Sequence, residues 1–117
     1  MINPTTTDEP IETLEMIIEK AIADVCEVCM VHPQMLMSRT RQEDVVLGRF
    51  FLQKILRNAG FTWAKIGKIT NRDHGAAHLG VRRLELRLQC REKILTTMHD
   101  NLKSRGWNMK EVFDYDN

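Results

Sequence analysis

Three groupings in the sequence have the residue types for chemistry. Cys26, Cys29 and His32 form a C-x-x-C-x-x-H run, two thiols and an imidazole of the kind zinc takes. His74 and His78 stand four residues apart, so that on a helix both imidazoles share one face. Arg72, Asp73 and His74 are three consecutive side chains able to meet phosphate oxygens or base edges. The first two fall short. Zinc needs four ligands, or three and a water, and no second ligand pair follows Cys26 and Cys29 at a suitable spacing. Cys90 and His99 belong to a distant helical stretch, and positions i, i+3 and i+6 drift around a helix. Cys26 and Cys29 therefore read as small buried hydrophobes. His74 and His78 have no third ligand nearby. No metal and no cofactor is expected. Nor does the chain hold a Ser–His–Asp or Cys–His set or paired carboxylates among apolar residues, so it is not expected to be an enzyme.

The run at Arg72 is different, because its surroundings would position it. Gly60 to Leu84 reads as two short helices with a polar break between them. Thr62 can cap the first helix, with Trp63, Ile66 and Ile69 as its apolar stripe. Gly67 weakens that helix, and close approach by another backbone is the best reason for it. Thr70 and Asn71 make the break, and Asn71 or Asp73 caps the second helix, whose apolar positions are Ala77, Val81 and Leu84. This outlines a helix-turn-helix, whose second helix would read bases with Arg72, Asp73 and His74 at its start.

The Ile66-Gly67 pair followed by Arg72-Asp73-His74 resembles the C-terminal DNA-binding domain of DnaA, the bacterial chromosomal replication initiator. That family carries IG, a short glycine-containing turn and then RDHTTV. The resemblance spans about Val25 to Leu88, half the chain. Ser38-Arg39-Thr40-Arg41 is similar to the family's basic loop, and Arg49 to the arginine that enters a minor groove. Such an arginine is drawn to a narrow A·T-rich groove. The departures are specific. Gly75 and Ala76 replace two threonines, the turn is one residue shorter, Phe50 replaces a glutamine, and Glu43 and Asp44 add acid beside the loop. The resemblance implies an all-α fold and a DNA-facing set of Arg39, Arg41, Arg49, Thr62, Trp63, Arg72, Asp73, His74, Gly75 and Ala76. Loss of the two threonine hydroxyls predicts altered or looser specificity.

Charge supports a polyanion partner. The net charge of +1 conceals fifteen lysines and arginines against six acids between Arg39 and Arg105, a balance of +9. The two ends hold two basic residues against ten acids, −8. A basic middle between acidic ends is the footprint of a polyanion-binding face. Arg87, Arg91 and Lys93 lie near acids on a predicted helix and read as solvated. Three cysteines, an odd number, and no apolar leader suit a reducing cytoplasm. No stretch is apolar enough to cross a bilayer, and no P-loop for an ATPase occurs.

The remaining elements frame a single domain of residues 9–106 between a polar leader, 1–8, and a tail, 107–117. A long helix is expected from Pro10 to Val31, with Ile11, Leu14, Ile18, Ala21, Val25 and Val28 inward, Pro10 in its first turn and Glu9 and Glu12 at its positive end. Met35, Leu36 and Met37 should plug the core. Residues 38–44 read as a polar loop, and Val45 to Arg57 as a helix burying Val46, Phe50 or Phe51, Ile55 and Leu56, with Gln53, Lys54 and Arg57 outside. After Leu88 the chain continues as one long helix, or two joined near Thr96-Thr97, with Cys90, Ile94, Met98 and Leu102 as its stripe. Trp107, Val112, Phe113 and Tyr115 give a tail that folds back as a short helix or docks a partner. Either stripe, if exposed, would be a homodimer face. The function expected is sequence-specific binding of double-stranded DNA, as a stand-alone bacterial or phage-borne regulator of replication or transcription. The alternative is a protein-interaction module that kept the fold and lost its DNA contacts.

Overall fold

The computed structural model of the 117-residue chain describes residues 13–112. The predicted leader, the expected roles of Glu9, Pro10, Ile11 and Glu12, and the tail aromatics Phe113 and Tyr115 lie outside them. The described residues form six helices and no strand: α1 Leu14–Cys29, α2 Pro33–Leu36, α3 Glu43–Asn58, α4 Trp63–Thr70, α5 His74–Gln89 and α6 Lys93–Ser104. None of them is long and apolar enough to cross a membrane.

Local chemistry sets most of the boundaries. Thr13 caps α1 through Met16 N–H, Thr62 caps α4 through Lys65 N–H, and Asp73 caps α5 through Ala76 N–H. Each satisfies one orphan donor at a helix start. Asn71, left-handed at φ 58°, closes α4. α3 starts earlier than expected, so Glu43 and Asp44 sit in its first turn, at the positive end of its dipole, and not in the loop.

α3 is the axis. It packs against α1, α2, α4 and α5, and is buried almost without interruption from Leu47 to Leu56. The expectation that Gln53 and Lys54 face outward is overturned, because a central helix has no outer side. Both are 1% exposed. Gln53 Nε2 donates to Thr70 Oγ1 (3.3 Å), and Lys54 Nζ pairs with Glu85 of α5 (2.7 Å) and donates to Lys110 O (3.0 Å). Phe51, Ile55 and Leu56 are buried as expected; Val46 and Phe50 are only half-buried.

The C-terminal third differs from both sequence alternatives. α5 stops at Gln89 and α6 starts at Lys93, with Arg91 left-handed at φ 59° between them. The break changes the phase of the apolar stripe. Leu95 and Leu102 are buried and Met98 half-buried, while Cys90 and Ile94 face solvent. Residues 107–112 are not helical. They lie back on the core through buried Met109 and Val112, with Val112 N–H donating to Glu85 Oε2 (2.7 Å). Trp107 Nε1 donates to Asp24 (2.8 Å), and Arg105 pairs with Asp24 and Glu27, tying α6 to α1.

Candidate nucleic-acid interface

The joint between α4 and α5 depends on Gly67. A Cβ there would lie 2.5 Å from Arg72 O, so only glycine lets the chain double back over α4. That turn delivers Arg72 against the loop before α3. Its Nη2 donates to Ser38 O (2.8 Å), and its Nη1 donates to Asn71 O (2.8 Å). Arg49 reaches the same loop from α3, donating from Nε to Leu36 O (2.9 Å) and from Nη2 to Ser38 O (2.9 Å). Residues separated by up to 34 positions thus fix one corner. Ser38 Oγ and Thr40 Oγ1 accept from Thr40 N–H and Gln42 N–H, which shapes the rest of the loop.

Both arginines carry their charge at a cost. Burial, then the charge of Arg72, pushes the Arg49 guanidinium down from its usual range. Burial, then the charge of Arg39, does the same to Arg72. Their acceptors are neutral carbonyls, so the positive field is not cancelled.

The other cations of this corner are exposed. Arg39, Arg41, Lys65, Lys68 and Arg83 make no side-chain hydrogen bond or ion pair among the described residues, whereas several cations elsewhere are neutralised. Lys20 pairs with Asp24, and Arg105 with Asp24 and Glu27. Arg87 pairs with Glu92 and Glu43, and both raise its affinity for the proton, Glu92 more. Arg91 and Lys93 are exposed too, but past the other end of α5, about 24 Å along the helix at 1.5 Å per residue.

Two hollows open here. One of about 330 Å³ lies between the 39–41 loop, α3 and α5; the other, of about 700 Å³, is lined by Arg39, Gly67, Lys68 and the residues Asn71–Asp73. Arg39, Arg72 and Ala76 line both. At the start of α5, His74, Gly75 and Ala76 are exposed, while Asp73 Oδ1 is engaged by Ala76 N–H (2.8 Å). Chemically this is a cationic surface surrounding small, exposed helix-start residues and one imidazole.

The expected site residues do not all gather there as surface groups. Arg39, Arg41, Arg72, Asp73, His74, Gly75 and Ala76 do, and Thr62 is exposed with its hydroxyl spent on the α4 cap. Trp63 is buried instead. Its ring stacks at 5.1 Å on His78 and lies beneath the Arg57 guanidinium at 4.9 Å, an apolar side chain holding α4, α5 and α3 together. Arg49 is 4% exposed, and its fork is committed to the loop backbone. Lys65, Lys68 and Arg83 were not singled out by sequence. Arg83 falls seven residues after Ala76, two turns along one face of the helix, and that spacing was the available signal.

Cys26 and Cys29 are buried as expected. Burial, with the neighbouring Cys26 and Asp44, pushes the Cys29 thiol up to about 12. His32 caps α2, its Nδ1 accepting from Gln34 N–H (3.1 Å). Cys29 packs into the α1–α6 contact, its Sγ 3.9 Å from Met98 Sδ. No family model and no curated protein matches the chain, so the functional argument rests on this geometry.

Proposed function

We propose that the chain is a non-enzymatic, sequence-specific double-stranded-DNA-binding domain of the helix-turn-helix kind, similar to that of DnaA, with α4 as the supporting helix and α5 as the recognition helix. The carrying observation is the set of unneutralised cations, Arg39, Arg41, Lys68 and Arg72, around the start of α5. Phosphate oxygens take the guanidinium and ammonium groups and fix the register. His74, exposed at the first position of α5, donates to a guanine or thymine acceptor in the major groove. Asp73 serves as the cap. Gly75 and Ala76 allow close approach and offer apolar contact to a thymine methyl, with fewer polar atoms for discrimination.

The test is anisotropy of a labelled duplex titrated across a range of salt. Neutralising four phosphates gives a log–log slope of about −3.6. Absence of binding to any duplex at low salt would replace this reading with the interaction module. That second reading has its own support: Leu79 and Leu86, two turns apart on the outer face of α5, are 47% and 53% exposed.

A further inference from the structure

The strap after α6 has a direction. Asn58 Nδ2 donates to Asn108 O (2.9 Å) and Lys110 O (2.7 Å) at the end of α3. Gln89 Nε2 then donates to Glu111 Oε2 (3.0 Å), and Val112 N–H donates to Glu85 Oε2 (2.7 Å). From Glu111 to Val112 the contact on α5 thus moves back from Gln89 to Glu85, toward the start of that helix. Val112 is buried, so the path is fixed up to that point.

Arg82 and His78 come next on this side of α5, three and seven residues before Glu85. Arg82 is exposed. His78 stacks on Trp63 at 5.1 Å, and the Arg57 guanidinium lies 4.9 Å from the same Trp63 ring. The line of the strap therefore leads to two guanidinium groups, first that of Arg82 and then that of Arg57 at the His78 stack. The five residues after Val112 are Phe-Asp-Tyr-Asp-Asn, with two acids and no base. Asp114 and Asp116 stand about 7 Å apart along an extended chain. Arg82 and His78 stand about 6 Å apart along the helix. Acids and cations are in step. Tethering at Val112 also gives the segment an effective concentration in the millimolar range, which a separate partner must exceed.

We propose that residues 113–117 dock along this side of α5, Asp114 on Arg82 and Asp116 on Arg57 beside His78, and so withhold both cations from duplex phosphates. The docking requires no DNA; its consequence rests on the DNA-binding reading.

The experiment is a double-mutant cycle in the full chain, read from urea unfolding at low salt. Asp114→Asn and Arg82→Gln should each lower the folding constant about two- to fivefold, and the double variant should be no less stable than the weaker single one. High salt should remove this coupling. Asp114→Asn combined with Arg41→Gln, a change in the 39–41 loop, should be additive. Additive effects for Asp114 with Arg82 overturn the docking. Coupling that comes with a dimer in sedimentation assigns the segment to a second copy and overturns it too. The Asp114→Asn, Asp116→Asn variant should bind a labelled duplex several-fold more tightly than the parent, and equal affinity overturns the withholding of charge. A duplex that binds neither protein counts against the DNA-binding reading alone, because the cycle contains no DNA.

Discussion

Arg49 and Arg72 donate to the same oxygen, the carbonyl of Ser38, from distances of 2.9 and 2.8 Å. One comes from the buried axis of the fold and the other from the α4–α5 turn. They therefore make the 36–41 loop and the start of α5 a single unit, and they leave two positive charges converging on a neutral group. An anion settling near the loop would relieve that repulsion.

The arrangement changes what Arg49 is expected to do. Arg49→Met removes two charged donors from backbone carbonyls and should destabilise the fold by about 1.5–3 kcal/mol for each bond lost, read from the urea midpoint. Its effect on DNA should run through the loop and be equal on A·T-rich and G·C-rich duplexes. A loss confined to A·T-rich sites would mean that Arg49 leaves its carbonyls and enters a narrow minor groove.

Arg41 gives the contrasting case. It is exposed and makes no side-chain bond among the described residues, so Arg41→Ala should leave the urea midpoint within about 0.5 kcal/mol. Duplex binding should weaken alike for all sequences, with the salt slope flattened by about one unit. An unchanged slope would remove Arg41 from the phosphate contacts.

Gly67→Ala should be costly despite the better helix propensity of alanine. The gain is at most about 1 kcal/mol, while forcing a Cβ to 2.5 Å from Arg72 O overpacks a backbone contact at about 1–3 kcal/mol. The net effect expected is a lower thermal midpoint together with weaker duplex binding, because Arg72 and Asp73 must move. A stabilised variant would show that the turn yields easily.

Asp24 predicts acid behaviour. Burial pushes its carboxyl up, but hydrogen bonds from Trp107, Arg105 and Lys20 together outweigh burial and hold it below the ordinary 3.8. A carboxyl depressed in the folded state stabilises the protein above its unfolded value, and that contribution is lost as pH falls through the folded one. Asp24→Asn should lower stability at neutral pH and flatten the fall in urea midpoint below pH 3.8, followed by helical circular dichroism. Parallel acid curves for the two proteins would clear Asp24 of the effect.

The legible parts of this chain were the local ones. Thr62 and Asp73 cap because their hydroxyl and carboxylate reach an N–H three residues on, and Gly67 declared a close approach by its poor fit to a helix interior. Gln53, Lys54 and Arg49 were misjudged because polarity alone suggests an outer face. Their burial follows from α1, α2, α4 and α5 surrounding α3, and their partners lie 11 to 56 residues away. The α5–α6 break carries no glycine or proline; Arg91 takes the left-handed conformation usually left to them. The tail lacked helical shape because its hydrogen bonds go to Lys54, Asn58 and Glu85.

The start of α5 provides the sharpest test of recognition. His74 has an exposed side chain that makes no hydrogen bond or ion pair among the described residues, while Asp73 is bound to Ala76 N–H. His74→Ala should therefore cost about 1–3 kcal/mol on the preferred duplex and much less on random DNA, with the urea midpoint nearly unchanged. Asp73→Ala removes the cap as well, and should lower stability by about 1 kcal/mol in addition to any loss of affinity. Gly75→Thr with Ala76→Thr introduces two hydroxyls and, on the proposed reading, should shift preference toward the target of DnaA-type domains. A Cβ at position 75 would stand 3.3 Å from Asp73 Oδ1, so the cap must give by a few tenths of an ångström to admit it. The quantity to follow is the ratio of specific to random binding at fixed salt. If His74→Ala leaves that ratio unchanged while Arg41→Ala alters it, α5 does not enter the groove by its N-terminus, and the outer face with Leu79 and Leu86 becomes the surface to pursue.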